Sequence, residues 1–175
     1  MTLLEKAKCG EITAEMQYVA EKEGVRPEFI CEGVANGDIV ILYSSRENIH
    51  PVAVGKGLFT KVSASVGMYE EADTIDGEMA KIDAAVKAHA DTIMDLSVRG
   101  PIEEMREKVL STVGRPVGTL PMYETLSVAE AKYGTALDMT PDDMFDMIEK
   151  QASQGVAFIA VHPGTTLSVI HRAKD

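Results

Sequence analysis

The sequence predicts an α/β fold in which a short helical lead-in precedes about four consecutive parallel βα units. Three observations carry this. Short β-rich apolar runs recur near residues 60–66, 92–96, 116–120 and 158–161. The stretches between them place apolar residues at helical spacing, and such alternation marks βαβ units, because parallel strands need a long crossover connection. The chain has 175 residues, 45% hydrophobic and 26% charged, which suits one buried core of ordinary size and excludes disorder.

The elements follow in order. Residues 11–23 carry Ile12, Met16, Val19 and Ala20 at helical spacing, with Thr13 placed to cap the helix and Gly24 to end it. A second helix spans 27–36, opening on Pro27, whose missing N–H costs nothing at the first helical position. The run Ile39-Val40-Ile41-Leu42 reads as an extra strand ahead of the main architecture. After the first strand of the array comes a helix with Ile75, Met79, Ile82 and Val86 on one stripe. After the second strand, a helix beginning at Pro101 shows Ile102, Met105 and Val109. The helix before the fourth strand is capped by Thr140, starts at Pro141, sets Asp142 and Asp143 on the positive end of its dipole and closes at Gly155. Its inward face is Met144, Met147, Ile148 and Gln151 or Ala152. The one boundary in the chain divides the lead-in, 1–57, from the βα array, 58–175.

Successive right-handed βα units suit an open doubly wound sheet or half of a closed barrel, and periodicity does not separate them. The first strand-to-helix loop, Gly67-Met68-Tyr69-Glu70-Glu71, lacks the Gly-x-Gly-x-x-Gly of a dinucleotide site. Leu167, Val169 and Ile170 lead into what reads as the start of the next helix, and four strands alone leave two apolar sheet edges open.

Composition also removes function classes. The net charge of −11, with no Lys/Arg run, disfavours nucleic acid. No stretch approaches the roughly 20 apolar residues of a membrane span, and the start lacks a signal core, so the expected location is cytoplasmic. Cys9 and Cys31 are too far apart for a Cys-x-x-Cys motif and are expected to be reduced. His50, His89 and His171 show no metal-ligand spacing, and the ten methionines read as core filler.

In parallel α/β folds ligands gather at the carboxyl ends of the strands. The first end offers Ser63, Ser65 and Gly67, which stabilise a loop or hydrogen-bond a phosphate or amide. The second offers Met94, Asp95 and Ser97, an acid and a hydroxyl at a buried rim that serve a ligand or a helix cap. At the third, Pro121 holds Tyr123 above the strand, where its phenol binds a ligand or covers the core. The fourth gives His162-Pro163-Gly164, whose imidazole is a candidate titrating group.

Along nearly its whole length the chain resembles the phosphomethylpyrimidine synthase family, also called ThiC. The resemblance runs through Ala7-Lys8-Cys9-Gly10-Glu11-Ile12-Thr13-Ala14-Glu15-Met16, Val25-Arg26-Pro27-Glu28-Phe29-Ile30 and Ala90-Asp91-Thr92-Ile93-Met94-Asp95-Leu96-Ser97. It continues in Pro116-Val117-Gly118-Thr119-Leu120-Pro121-Met122-Tyr123, in Gln151-Ala152 with Gly155-Val156, and in His162-Pro163-Gly164. The order and spacing of these matches are specific where each one alone is not. The resemblance implies that the array is the N-terminal half of a (β/α)8 TIM barrel. It further implies that Met94, Tyr123 and His162 contact the substrate, with Ser65 standing at the family's substrate-binding Asn. A serine there offers one hydroxyl in place of an amide. Glu124 stands where Gln is usual, and Ala157 where the family has Asp.

The reaction that the resemblance implies is a lyase step of thiamine biosynthesis. 5-Aminoimidazole ribonucleotide is rearranged to hydroxymethylpyrimidine phosphate by radical chemistry that uses S-adenosylmethionine, a [4Fe–4S] cluster and a nearby zinc. The alternatives are a hydroxybenzimidazole synthase-like paralogue, which makes a cobamide lower ligand from the same substrate, or a non-catalytic ligand-binding or regulatory half-barrel. The cluster takes three thiolates from a Cys-x-x-Cys-x-x-x-x-Cys that this sequence lacks, so the chain alone is expected to hold no cluster and no metal and to be inactive. Its expected partners are the small-molecule substrate and either a second copy or a complementing half-barrel. No catalytic residue is assigned.

Overall fold

The computed structural model describes residues 1–164 and 166–173. Three helices open the chain. The first, α1 (Leu3–Lys8), is held by a reciprocal cap in which Thr2 Oγ1 accepts from the Glu5 N–H at 3.2 Å and the Glu5 carboxylate accepts from the Thr2 N–H at 2.8 Å. In α2 (Ala14–Glu23), Thr13 caps through the Met16 N–H and Gly24 ends the helix at φ 67°, as the sequence predicts. Helix α3 (Pro27–Asn36) buries Ile30, Cys31 and Val34. The strand expected at 39–42 is present as β1 (Ile39–Leu42), but it pairs antiparallel with β2 (Val52–Gly55) in a separate two-stranded sheet. Ala7, Met16, Val19, Ile30, Val34, Ile39 and Ala53 form the core of this lead-in.

The array then runs β3 (Ser63–Val66), α4 (Ile75–Lys87), β4 (Thr92–Asp95), α5 (Ile102–Thr112), β5 (Val117–Thr119), α6 (Pro121–Tyr133), a 3-10 turn at Ala136–Asp138, α7 (Pro141–Ser153), β6 (Phe158–Ile159) and α8 (Leu167–Arg172). The four strands are parallel and lie in the order β3-β4-β5-β6. A doubly wound sheet reverses its strand order at a switch point, whereas a (β/α)8 barrel winds in one direction. The four strands run one way, the order of a partial βα barrel.

The strands are shorter than the apolar runs. The β3–β4 ladder starts at Ser63, and residues 59–62 are tied elsewhere. Phe59 N–H donates to Glu23 of α2 at 2.9 Å, Lys61 pairs with Glu23 at 2.8 Å, and Val62 N–H donates to Asp91 at 2.7 Å. Ala64, Ile93 and Val117 lie side by side in register and face the helices, packing with Ile82 of α4 and with Met105, Val109 and Leu110 of α5.

The lead-in sits at the amino-terminal side of the strands. Ser44 Oγ donates to the Gly155 carbonyl at 2.6 Å, Arg46 Nε donates to the Gln154 carbonyl at 2.7 Å, and Asn48 Nδ2 donates to the Leu110 carbonyl at 3.0 Å. Ile49 enters the core of the array. This docking leaves the carboxyl ends of the strands uncovered by the lead-in. Among the described residues no helix is long and apolar enough to cross a membrane.

Candidate functional site at the strand ends

Side chains alternate across a strand, so the register fixes what each face presents. Because Ile93 and Val117 face the helices, their neighbours Met94 and Gly118 face the other way, toward the side that is the interior of a barrel. Ser65, Met94, Gly118 and Phe158 form one lateral row on that side. Ser65 is exposed and Met94 half-buried. Gly118 is required in this row, because a Cβ there would lie 2.3 Å from Cε2 of Phe158. The Phe158 ring thus covers the backbone of β5 beside Met94.

The loops after β3 and β4 are locked together. Gly67 has φ 149°, and a Cβ there would meet the Ser97 nitrogen at 2.6 Å. The Met68 N–H donates to Ser97 Oγ at 3.1 Å, and the Gly67 N–H donates to the buried Glu78 carboxylate at 2.9 Å. Asp95 Oδ1 accepts from both the N–H (3.0 Å) and the Oγ–H (2.6 Å) of Ser97. Asp95 and Ser97 therefore shape the loop and do not cap α5, whose N-cap is Pro101 without a side-chain hydrogen bond. Burial pushes the Asp95 carboxyl above its ordinary range, against the Ser97 hydrogen bonds and the Arg106 charge that favour ionisation. Tyr69, near the start of the loop after β3, has its phenol pushed up by partial burial and by the fields of Tyr123, Asp95 and Glu78. Tyr69 and Tyr123 thus share one electrostatic neighbourhood, although they come from loops after different strands. Sequence reading missed Tyr69, whose only signal was its place in the first strand-to-helix loop.

Tyr123 lies in the first turn of α6, a helix that the sequence reading did not place. Its half-buried side chain follows Pro121, which occupies the first helical position. The next residue, Glu124, points inward and is held from three sides. Arg106 of α5 donates Nη1–H to Oε2 at 2.6 Å, Gln151 of α7 donates Nε2–H to Oε2 at 2.8 Å, and Lys150 of α7 reaches Oε1 at 3.3 Å. Thr119 at the end of β5 donates in turn to Gln151 Oε1 at 2.6 Å. Burial pushes the Glu124 carboxyl up, but the hydrogen bond and charge of Arg106, with Gln151 and Lys150, outweigh it and hold the group below its usual range. This network fixes the turn that carries Tyr123.

His162 follows β6 and is exposed. It lines a small apolar cavity of about 180 Å³ together with Leu120, Pro121, Met144 and Ile148. Met94, Tyr123 and His162 thus all lie at the same, carboxyl end of the parallel sheet. Ser65 and Met94 are brought into direct register, and His162 borders the residues that precede Tyr123.

The chain's donor set does not fit an iron–sulfur cluster. A [4Fe–4S] centre that leaves one iron open takes three thiolates, and the sequence has two cysteines. Both are free thiols of the lead-in; Cys31 is buried with its Sγ 3.7 Å from the Ala7 carbonyl, and Cys9 is exposed. Among the described residues no group of three or more His, Cys, Asp or Glu side chains is arranged to hold a metal ion.

A family model described as "Radical SAM ThiC family" matches residues 2–175. Over its whole length the chain is 98% identical to a protein of Eubacterium limosum named 5-hydroxybenzimidazole synthase BzaA. It is 53% identical to a protein of the same name from Moorella thermoacetica and 43% identical to a phosphomethylpyrimidine synthase of Thermodesulfovibrio yellowstonii. In each case the chain spans 41% of the relative's length. The match over the full chain, the one-way order of the sheet and the strand-end motifs agree: the chain belongs to the radical SAM ThiC family.

Proposed function

We propose that the chain is the N-terminal part of a 5-hydroxybenzimidazole synthase, a radical S-adenosylmethionine enzyme acting on 5-aminoimidazole ribonucleotide. The observation that carries this reading is the 98% identity, over all 175 residues, to a protein of that name. Relatives named phosphomethylpyrimidine synthase stand at 42–45% identity. The thiamine-pathway product expected from the sequence therefore gives way to the benzimidazole alternative. In this reading Ser65, Met94, Tyr123 and His162 bind the substrate at the carboxyl ends of β3 to β6, and Ser65 meets it with a hydroxyl. The cluster, and any metal beside it, is held by residues outside this chain. The edge strands β3 and β6 are where further strands, from the same polypeptide or another, complete the barrel.

Product analysis tests the proposal. The intact protein, reconstituted with its cluster under anoxic conditions, is given S-adenosylmethionine, a reductant and aminoimidazole ribonucleotide. Mass spectrometry is expected to find hydroxybenzimidazole. Hydroxymethylpyrimidine phosphate as the main product would overturn the assignment.

A further inference from the structure

A second cleft lies on the other side of the molecule, where the lead-in meets the amino-terminal ends of the strands. Tyr18 and Lys22 of α2, His50 between the two strands of the hairpin, and Arg115 just before β5 line a cavity of about 560 Å³, with Asp83 of α4 on its rim. The same four side chains also line an adjoining space of about 260 Å³ beside Lys61 and Asp91. The wall is built rather than accidental. The rings of Tyr18 and His50 stack at 5.5 Å between centroids and 15° between planes, and the Lys22 ammonium lies 5.4 Å from the Tyr18 centroid. The His50 N–H reaches the Gly114 carbonyl at 3.5 Å, which sets His50 next to Arg115.

Charge makes the cleft unusual. The chain carries a net charge of −11, yet here two cations and an imidazole converge. Glu23 and Asp91 line the adjoining space, where Glu23 pairs with Lys61 and accepts from the Phe59 N–H and Asp91 accepts from the Val62 N–H; the larger space sets Lys22 and Arg115 against Asp83 alone among the described carboxylates. Among the described residues neither Arg115 nor Lys22 enters an ion pair. Arg115 is half-buried and lines the cleft, the usual position of an arginine whose guanidinium stays accessible, so it is open to a ligand that enters there.

We propose that this cleft binds a small phosphate-bearing anion, with Arg115 and Lys22 supplying the charge and the Tyr18–His50 stack forming a flat wall. A guanidinium fork and an ammonium lining one cleft suit a dianion with several acceptor oxygens better than a single carboxylate. The space exceeds one phosphate group and admits an attached sugar or ring. The site lies at the end of the sheet opposite the strand-end residues, so it stands or falls independently of the proposed reaction.

The test is NMR titration of the protein with inorganic phosphate and, in a second arm, with adenosine monophosphate, following the imidazole resonances of His50. Sodium chloride at matched ionic strength controls for screening. The expected result is a saturable shift at His50 with at least one titrant. Affinity should be about tenfold weaker in both Arg115→Gln and Lys22→Gln, each a lost charge-assisted contact, and tighter in Asp83→Asn, which removes the rim carboxylate. Tighter binding of the nucleotide identifies a phosphomonoester as the ligand; equal binding identifies the bare anion. Lys22 and Asp83 are exposed, so their variants report even if Arg115→Gln fails to fold. A shift that never saturates, that chloride reproduces, or that is unchanged in the Lys22 and Asp83 variants overturns the proposal.

Discussion

Arg106 of α5 and Glu124 of α6 form a two-point ion pair inside the molecule, with Nη1 to Oε2 at 2.6 Å and Nη2 to Oε1 at 3.3 Å, and their side chains are only 1% and 8% exposed. Removing Arg106 leaves the buried Glu124 carboxylate to Gln151 and to Lys150 at 3.3 Å, without its closest cation. Arg106→Met is therefore expected to cost about 3–5 kcal/mol in urea unfolding. The double variant Arg106→Met/Glu124→Leu, which removes both charges, should recover most of that loss. A single-variant cost under about 1 kcal/mol would show that the pair is not closed in solution.

The same carboxylate sets a pH dependence, and Asp95 sets an opposing one. Glu124 is held below its ordinary range, so its contribution to stability is complete above the unfolded pKa of about 4.3. That contribution fades as pH falls through the lower, folded value. Asp95 is pushed above its ordinary range, so its contribution is complete below about pH 3.9 and fades as pH rises through the folded value. Urea midpoints measured from pH 3 to pH 7 check both signs. Glu124→Gln should flatten the acid limb, and Asp95→Asn should gain on the wild type as pH rises. Parallel curves for all three proteins would contradict both assignments.

The row across the sheet gives a packing prediction. Gly118→Ala drives a methyl group into the Phe158 ring, at 2.3 Å from Cε2 if nothing moves, and should cost roughly 1–3 kcal/mol. The cost should shrink when Phe158 is also replaced by Ala, because the ring is what the methyl group meets. Equal costs in the two backgrounds would place the strain elsewhere.

Capping accounts for much of what the sequence made legible. Thr13 and Thr140 sit where their hydroxyls accept from the Met16 and Asp143 N–H groups, and Thr→Ala at either site should cost about 1 kcal/mol. Helices with a proline start and a clear apolar stripe, such as α3 and α7, the latter also capped by Thr140, were readable to within a residue or two. Helix α6 was not: its buried residues Pro121, Glu124, Thr125 and Ala129 include few large apolar side chains, so no stripe stood out. Strand β2 is four residues between Pro51 and a glycine turn, too short to show alternation. At the strand ends, Tyr123 and His162 stood out as candidates because the fold delivers each strand's carboxyl end to one side, whereas Ser65 and Met94 were singled out by the family resemblance. The Thr119–Gln151–Glu124–Arg106 network could not, because its members are widely separated along the chain and become neighbours only when α5, α6 and α7 pack together.

The strand-end residues yield a prediction for the intact enzyme that rests on the proposed function. Tyr123 is presented by a turn whose next residue is anchored by three side chains, so its phenol is positioned before any ligand arrives. Tyr123→Phe keeps the ring and its packing but removes the hydroxyl. It should weaken aminoimidazole ribonucleotide binding about tenfold, the loss of one hydrogen bond to a charged or polar ligand. Calorimetric titration of the intact protein measures this, and Lys56→Ala, on the exposed turn after β2, serves as an unaffected control. The Tyr123 variant should unfold at the wild-type urea concentration, because the Glu124 anchor is untouched. A loss of stability without a loss of affinity would mean that the phenol supports the fold and not the ligand.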